Sequence, residues 1–387
     1  MISTDVEQGI RAIERIQSEW SALVDRSESA ASVFSRPEWH LAWLDAHPKT
    51  VPTLISAHAE GQLVGVLPLV RIRTDLKGMF ATLISPSAGD VTDFNSPIVK
   101  PETASTVLPA LFDAAFQHFG KYSVYSWRGF PADDPSLSIL RSYFRNEGVA
   151  WNEVREPAPR LRFEGSGYQD AEKQWSANHR LDVRRRRKRL AQEGPLSLWQ
   201  PSSLPEANEL LEAFFDVHDA KWLSQGVPGK FQDSWRREHY RSILRRLWGR
   251  GLHFSTVRCG AVDLSYHFGF VSGGWLLWYK PAYRTDYAQF SPGKVHISLL
   301  VEEGYRLGWK GIDFLLGDEK YKFAWSNDST DVVHFNACRY SWLPSYIWFT
   351  SARPLVRSHF VGIYWRSKSW VQRQRLRVAP TSSDRDG

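Results

Sequence analysis

Between Trp275 and Trp325 the sequence concentrates the residue types that do chemistry. Ser291-Pro292-Gly293-Lys294 lead into an apolar-periodic run through Val295, Leu299, Leu300 and Tyr305. Ser291 is placed to N-cap a helix, and Pro292 suits its first turn. The start of such a helix offers unsatisfied backbone N–H groups, Gly293 leaves them uncovered, and Lys294 adds a positive charge. That combination suits a phosphate. Arg284, in the preceding loop, is a second cation for the same anion, or else a solvated surface side chain. Further on, Asp313 stands among apolar residues, where burial raises a carboxyl's pKa toward the range of a general base. The same Asp can equally end a strand by capping a loop. Asp318 and Glu319 follow Gly317, where α/β sites commonly open. Tyr321 offers an acidic hydroxyl and Lys322 a cation, although an aromatic beside a strand also packs. His218, in FFDVHDAKW, lies two residues from Asp216, a spacing that does not bring them together on a helix.

These residues need a scaffold, and the pattern around them is helix alternating with strand. A strand at Trp275–Lys280 leads through a loop into a helix at about 293–308, and GIDFLLG forms the next strand. This is the pattern of a mixed α/β fold. It occurs twice. TLISAHAEGQLVGVLPLV and HFSTVRCGAVDLSYHFGF both read as hairpins, and their glycines, Gly61 and Gly260, stand 199 residues apart. A helix with Phe34 and Trp39 precedes the first; one with Phe231 and Trp235 precedes the second. Two similar halves are expected, meeting between 150 and 170, where VREPAPRLRFEGSG supplies prolines and glycines. A basic helix from about 170 to 192 opens the second half and stops at Gly194-Pro195. In the first half the counterpart of the Ser-Pro-Gly loop reads SPSAGDVTDFNSP, and Asp90 and Asp93 would repel a phosphate there.

Composition narrows the function. The 387 residues carry a formal charge of +7, with basic clusters at Arg184–Arg189 and between Arg353 and Arg377. Clusters point to a polyanion or an anionic surface. No nucleic-acid-binding module is present, so nucleic acid is not the expected partner. Aromatics make up 14% of the chain, suiting a groove for an elongated ligand as well as a core. Two cysteines, Cys259 and Cys338, have no metal-like spacing, so no metal is expected. MISTDVEQGIRAIERIQ reads as a charged helix without the apolar stretch of a secretory signal, and no run is long enough to span a bilayer. A cytoplasmic protein is expected. The Trp-, Tyr- and Arg-rich segment from Trp342 to Arg377 is amphipathic enough for peripheral contact at the inner membrane.

The order strand, loop, SPG, helix, Gly, then xDFLxGxExYKxxW resembles the second half of the CelD-like acetyltransferases associated with bacterial cellulose and exopolysaccharide synthesis. That family is related to the Fem-type aminoacyltransferases. The resemblance runs from about Trp20 to Trp325 and includes the VGVLPL hairpin, the RRRRKRLAQEG helix and FDVHDAKWLSQG. It implies a tandem GNAT-like fold: an acceptor-side half at 1–160, a donor half at 161–350 and a basic aromatic extension at 351–387. It also implies acetyl-CoA, or another acyl-CoA, as donor to an amine or hydroxyl of a sugar, polysaccharide precursor or small metabolite. The donor would sit on Arg284 and Ser291 to Lys294. The base would come from Asp313, Asp318, Glu319 or His218, the thiolate acid from Tyr321, and contacts to substrate from Lys322 and Trp325. A Fem-like enzyme using charged tRNA and a non-catalytic polysaccharide- or membrane-binding module are the alternatives.

Overall fold

A computed structural model describes residues 2–26, 29–72, 82–120, 123–224 and 226–339. The basic aromatic extension, its expected membrane contact and the end of the donor half lie outside the described residues. The first half comprises β1 (Ile2–Gln8), α1 (Ile10–Arg15), α2 (Gln17–Asp25), α3 (Pro37–Ala46), β2 (Thr53–Ala59) and β3 (Gln62–Ile72). There follow β4 (Thr82–Pro86), β5 (Ile98–Val99), α4 (Ala104–Phe119), β6 (Ser123–Pro131), α5 (Pro135–Asn146) and β7 (Ala150–Arg162). Next come α6 (Tyr168–Gln174), α7 (Ala177–Glu193), β8 (Leu196–Trp199), α8 (Leu204–Ser224), α9 (Ser234–Leu247), β9 (Leu252–Cys259) and β10 (Val262–Ser272). The chain closes with β11 (Trp275–Tyr283), α10 (Pro292–Leu307), β12 (Gly311–Asp313), α11 (Lys320–Trp325) and β13 (Asp328–Cys338).

The expected repeat is present element by element. Both hairpins form: β2 pairs with β3 and β9 with β10, all antiparallel. Their turns hold Gly61 and Gly260 at φ of 77° and 58°, a region costly for residues with a Cβ. Helices α4 and α10 follow the hairpins in the same order, and β6 and β12 follow those helices.

Three local expectations are corrected. Residues 2–8 form an edge strand on β2, not a helix, because Ile2, Thr4 and Val6 alternate with polar residues and favour the pleated surface. The basic helix is broken after Gln174: Trp175 is extended, and the Ser176 hydroxyl caps α7 by accepting the His179 N–H at 3.2 Å. The expected linker is a strand. β7 runs through the proline-containing stretch and pairs with β12 of the second half, while β13 returns from the second half and lies between β6 and β7. The halves therefore exchange strands in one continuous sheet, ordered β1-β2-β3-β4-β6-β13-β7-β12-β11-β10-β9-β8. They also share a core. Trp39 of α3 meets Phe270 and Tyr279 edge-on, at 5.6 and 5.8 Å between ring centroids.

Candidate active site

The sheet opens in the second half. β11 pairs in parallel with β12 only from Trp275 to Leu277, and β12 ends at Asp313. Beyond Leu277 the β12-facing backbone of β11 has no strand partner among the described residues. At the same point the β10–β11 register slips: Phe270 opposes Leu277 but Phe268 opposes Lys280, so Trp278 and Tyr279 face the single residue Gly269. A bulge of this kind twists a strand and re-aims its edge. Bulge and parting together make a V whose free edge could pair with the amides of an extended ligand.

α10 starts on the rim of this opening. Pro292 occupies its first turn as expected, but Ser291 does not cap it: the residue is left-handed, at φ 52° and ψ 57°, and its side chain makes no capping bond. Its carbonyl does accept the Lys294 N–H at 2.9 Å. The Gly293 N–H makes no hydrogen bond among the described residues, and a Cβ on Gly293 would meet only Tyr283, at 3.9 Å. The two expected cations are already paired. Lys294 Nζ lies 2.7 Å from Asp182 on α7, and Arg284 forms a two-pronged pair with Asp286 at 3.1 and 2.6 Å. The site thus offers an uncovered helix start with a paired cation on each side, Asp182 being shared with Arg185 and Arg186.

On α11, Tyr321 is partly exposed, with its hydroxyl near the Trp278 indole of β11. Crowding by the surrounding protein pushes its phenol up to about 12. Such a tyrosine stays protonated at neutral pH and acts by donating a hydrogen bond to an anion rather than by releasing its proton. Lys322 ties the preceding turn: Nζ sits 2.8 Å from Glu319 and also donates to the Leu316 carbonyl. Only glycine fits at 317, where φ is 125° and a Cβ would lie 2.7 Å from Lys322 Nζ.

Five more of the expected site residues lie as follows. Asp313 is fully buried, and burial does raise its pKa, but both oxygens are engaged: Oδ2 accepts from Arg160 Nε at 2.6 Å and Oδ1 from the Leu315 N–H at 2.8 Å. It pins the turn in which Leu315 is left-handed, at φ 60°, and so sets where the chain leaves the sheet. Glu319 is held by Lys322, and Asp318 stands exposed in solvent. His218 packs against Phe231, and burial, with Lys230, Lys221 and Lys280 nearby, pushes its pKa down to about 3. An imidazole that weak cannot take up a proton efficiently at neutral pH. Trp325 is fully buried between Trp175 and His179, with centroids at 4.7 and 4.5 Å, and belongs to the core rather than to a substrate surface.

The sequence reading missed Asp93 as a chemical group. Its loop is pinned from both halves: Trp43 donates to Asp90 at 2.8 Å, Trp39 to Thr92 at 2.8 Å, and Tyr279 of β11 to the Val91 carbonyl at 2.6 Å. Asp93 is thereby held at the seam, within electrostatic reach of Lys280, Lys322, Lys230 and Glu156, with no cation within 4.0 Å among the described residues. Burial raises its pKa, and the lysines oppose the rise. The available signal was that its loop aligns with the Ser-Pro-Gly loop of the other half. The basic run is only partly paired within the fold: Arg184 pairs with Glu172, Arg185 and Arg186 share Asp182, and Arg187 pairs with Glu302. Neither cysteine forms a disulfide, and both are buried. Among the described residues no cluster of His, Cys, Asp and Glu is arranged for a metal.

The fold is mixed α/β and GNAT-like. Residues 177–323 match the family model described as the acetyltransferase (GNAT) domain. No curated protein matches the chain. Among solved structures, FemX superposes with a TM-score of 0.58 at 11% identity, covering 82% of this chain and 95% of its own. The C-terminal domain of a putative lysylphosphatidylglycerol synthetase from Agrobacterium fabrum gives 0.54 at 10% identity, covering 88% and 96%. The L-PGS structure from Bacillus licheniformis also gives 0.54 at 10%, covering 86% and 94%. At these identities the likeness is one of fold.

Proposed function

We propose that this protein transfers an acyl group from an acyl-CoA, acetyl-CoA in the first instance, to an amine or hydroxyl of a sugar, polysaccharide precursor or small metabolite. The observation that carries the reading is the coincidence, at Leu277, of the β11 bulge with the departure of β12, beside the open start of α10. The bound co-substrate supplies an activated thioester. Its phosphates would rest on the Gly293 N–H, with Lys294 and Arg284 exchanging partners, and its extended arm would lie along the free edge of β11. Asp93 takes the proton of the attacking amine or hydroxyl as the new bond to the acyl carbon forms. As the carbon–sulfur bond breaks, Tyr321 donates a hydrogen bond to the departing thiolate. Lys280 and Lys322 hold Asp93 ionised for its task. The polysaccharide class of acceptor and the CelD-like relationship rest on the sequence resemblance. A cytoplasmic site of action, peripheral to the membrane through the segment after 350, belongs to the same proposal. No helix among the described residues is long and apolar enough to cross a bilayer.

Calorimetric titration with acetyl-CoA and CoA tests the donor class. Micromolar binding is expected, and Gly293→Trp, which covers the start of α10, abolishes it. Failure of acetyl-CoA and longer acyl-CoAs to bind would remove this reading. Tyr321→Phe is expected to lower kcat about 100-fold, the scale of losing one hydrogen bond to a developing anion, with the Kd for acetyl-CoA unchanged. Steady-state kinetics beside the titration check it. The second reading is an aminoacyl donor carried on RNA; it is favoured by Lys188 and Arg189, which extend the exposed side of α7 beside the donor helix with no carboxylate partner among the described residues. Transfer that depends on charged tRNA and not on acyl-CoA would select it.

A further inference from the structure

Beneath the opening lies a group of buried histidines that the transfer chemistry does not use. His267 of β10 is fully buried, and its Nε2 lies 3.1 Å from the carbonyl oxygen of Leu277. A carbonyl only accepts, so Nε2 carries the proton, and the ring is the neutral tautomer with a bare Nδ1. Nδ1 has no hydrogen-bond partner among the described residues. The imidazole stacks on Trp278 at 4.4 Å and 15°, and Trp278 in turn meets His296 of α10 edge-on at 5.6 Å. His296 is itself fixed, with Ser255 at 3.0 Å and Ser265 at 3.1 Å. Gly269, opposite the bulge, leaves the room: a Cβ there would lie 2.3 Å from His267 Nε2 and 2.4 Å from the Leu277 oxygen.

At a bulge the ladder is locally disrupted, and a side chain can supply a bond to the carbonyl that leads into it. His267 supplies that bond. The imidazole therefore fixes the direction of the Leu277 peptide and, through the stack, the orientation of Trp278. Those are the residues at which β11 parts from β12.

We infer that His267 is a positioning residue: its bond to the Leu277 carbonyl and its stack on Trp278 set the bulge that presents the β11 edge to the donor's reacting carbonyl. The catalytic consequence rests on the acyl-transfer reading; the structural one does not.

Hydrogen exchange on the ligand-free protein and transfer kinetics test it with His267→Leu and His267→Gln. In the leucine variant the amides of 278–280 exchange at least about tenfold faster while those of β2 and β3 keep their protection, because only the local opening changes. In the glutamine variant, whose amide N–H can reach the same carbonyl, protection returns toward the wild-type level. For transfer, leucine lowers kcat about 100-fold, the scale of one misaligned donor at the reacting centre, with the Kd for acetyl-CoA within about threefold, and glutamine recovers most of the rate. If leucine prevents folding, His267→Asn, whose amide falls short of the carbonyl, replaces it. Unchanged exchange at 278–280 without the imidazole would overturn the inference, as would an equal rate loss in the leucine and glutamine variants. A wild-type protein that turns over no acyl-CoA removes the acyl-transfer reading alone, and the exchange result still decides the role of His267.

Discussion

Replacing Asp93 by Asn lowers kcat about 10²- to 10⁴-fold, the range expected when a general base is removed, and leaves acetyl-CoA binding intact. The same change raises the melting temperature. Both effects have one cause. Burial at the seam raises the Asp93 pKa, so the folded protein holds the carboxyl's proton more tightly than the unfolded chain does. Stability from that preference is present at low pH and is lost as the pH rises through the unfolded and then the folded pKa. At neutral pH the ionised carboxylate is a standing cost, tolerated because it is useful, and Asn removes it. The sign for activity is the reverse. Asp93 must be ionised to accept a proton, so kcat/KM falls as the pH drops through its pKa, with a limb above the ordinary carboxylate range. In Asp93→Asn that limb disappears. A pH–rate profile and differential scanning calorimetry check the pair of outcomes; a variant both slower and less stable would instead mark Asp93 as structural.

Replacing Arg160 by Met destabilises the protein by about 3–5 kcal/mol, because it strands the buried Asp313 carboxylate without its cation. The Asp313 side chain has no exposed surface and Arg160 only 15%, so water cannot take over the pairing. The double change Arg160→Met/Asp313→Asn recovers most of the loss. Its amide oxygen still accepts the Leu315 N–H, and no charge remains to be compensated, leaving a deficit of roughly 1–2 kcal/mol. Protonation also relieves the single variant, so its deficit narrows as the pH falls. Calorimetric melting across pH measures all three proteins. If Asp313 were instead the catalytic base, Asp313→Asn in the double variant would abolish transfer; here it is expected to retain measurable turnover, since Asp313 reaches no open surface.

The contrast between the two aspartates shows how the sequence could be read and where it could not. Local patterns were decisive for the elements. The β-rich, apolar runs TLISAHA and QLVGVLPLV, the glycines at 61 and 260, and the proline and glycine opening α10 each act over a few residues, so their consequences could be seen in the chain itself. The duplication followed from the same local signals repeated. Burial at Asp313 was legible too, because its neighbours are apolar.

What its oxygens touch was not legible. Arg160 lies 153 residues away and reaches Asp313 only because β7 crosses into the second half of the sheet. That crossing also changed the first part of the boundary expected between 150 and 170: its prolines suggested a break, whereas pairing with β12 and β13 makes residues 150–162 a central strand. Trp325 and Ser291 failed for related reasons, one because helices α6 and α7 fold over it, the other because its backbone turns left-handed. Asp93 acquires its chemistry from lysines on three different elements, which no spacing in the sequence brings together. The sequence by itself determined most of the elements, their repetition and the start of a helix at Pro292, since these depend on near neighbours. Only the tertiary structure decided which carboxylates are paired and which face the seam, because charge pairing and desolvation depend on residues that meet through strand exchange between the two halves.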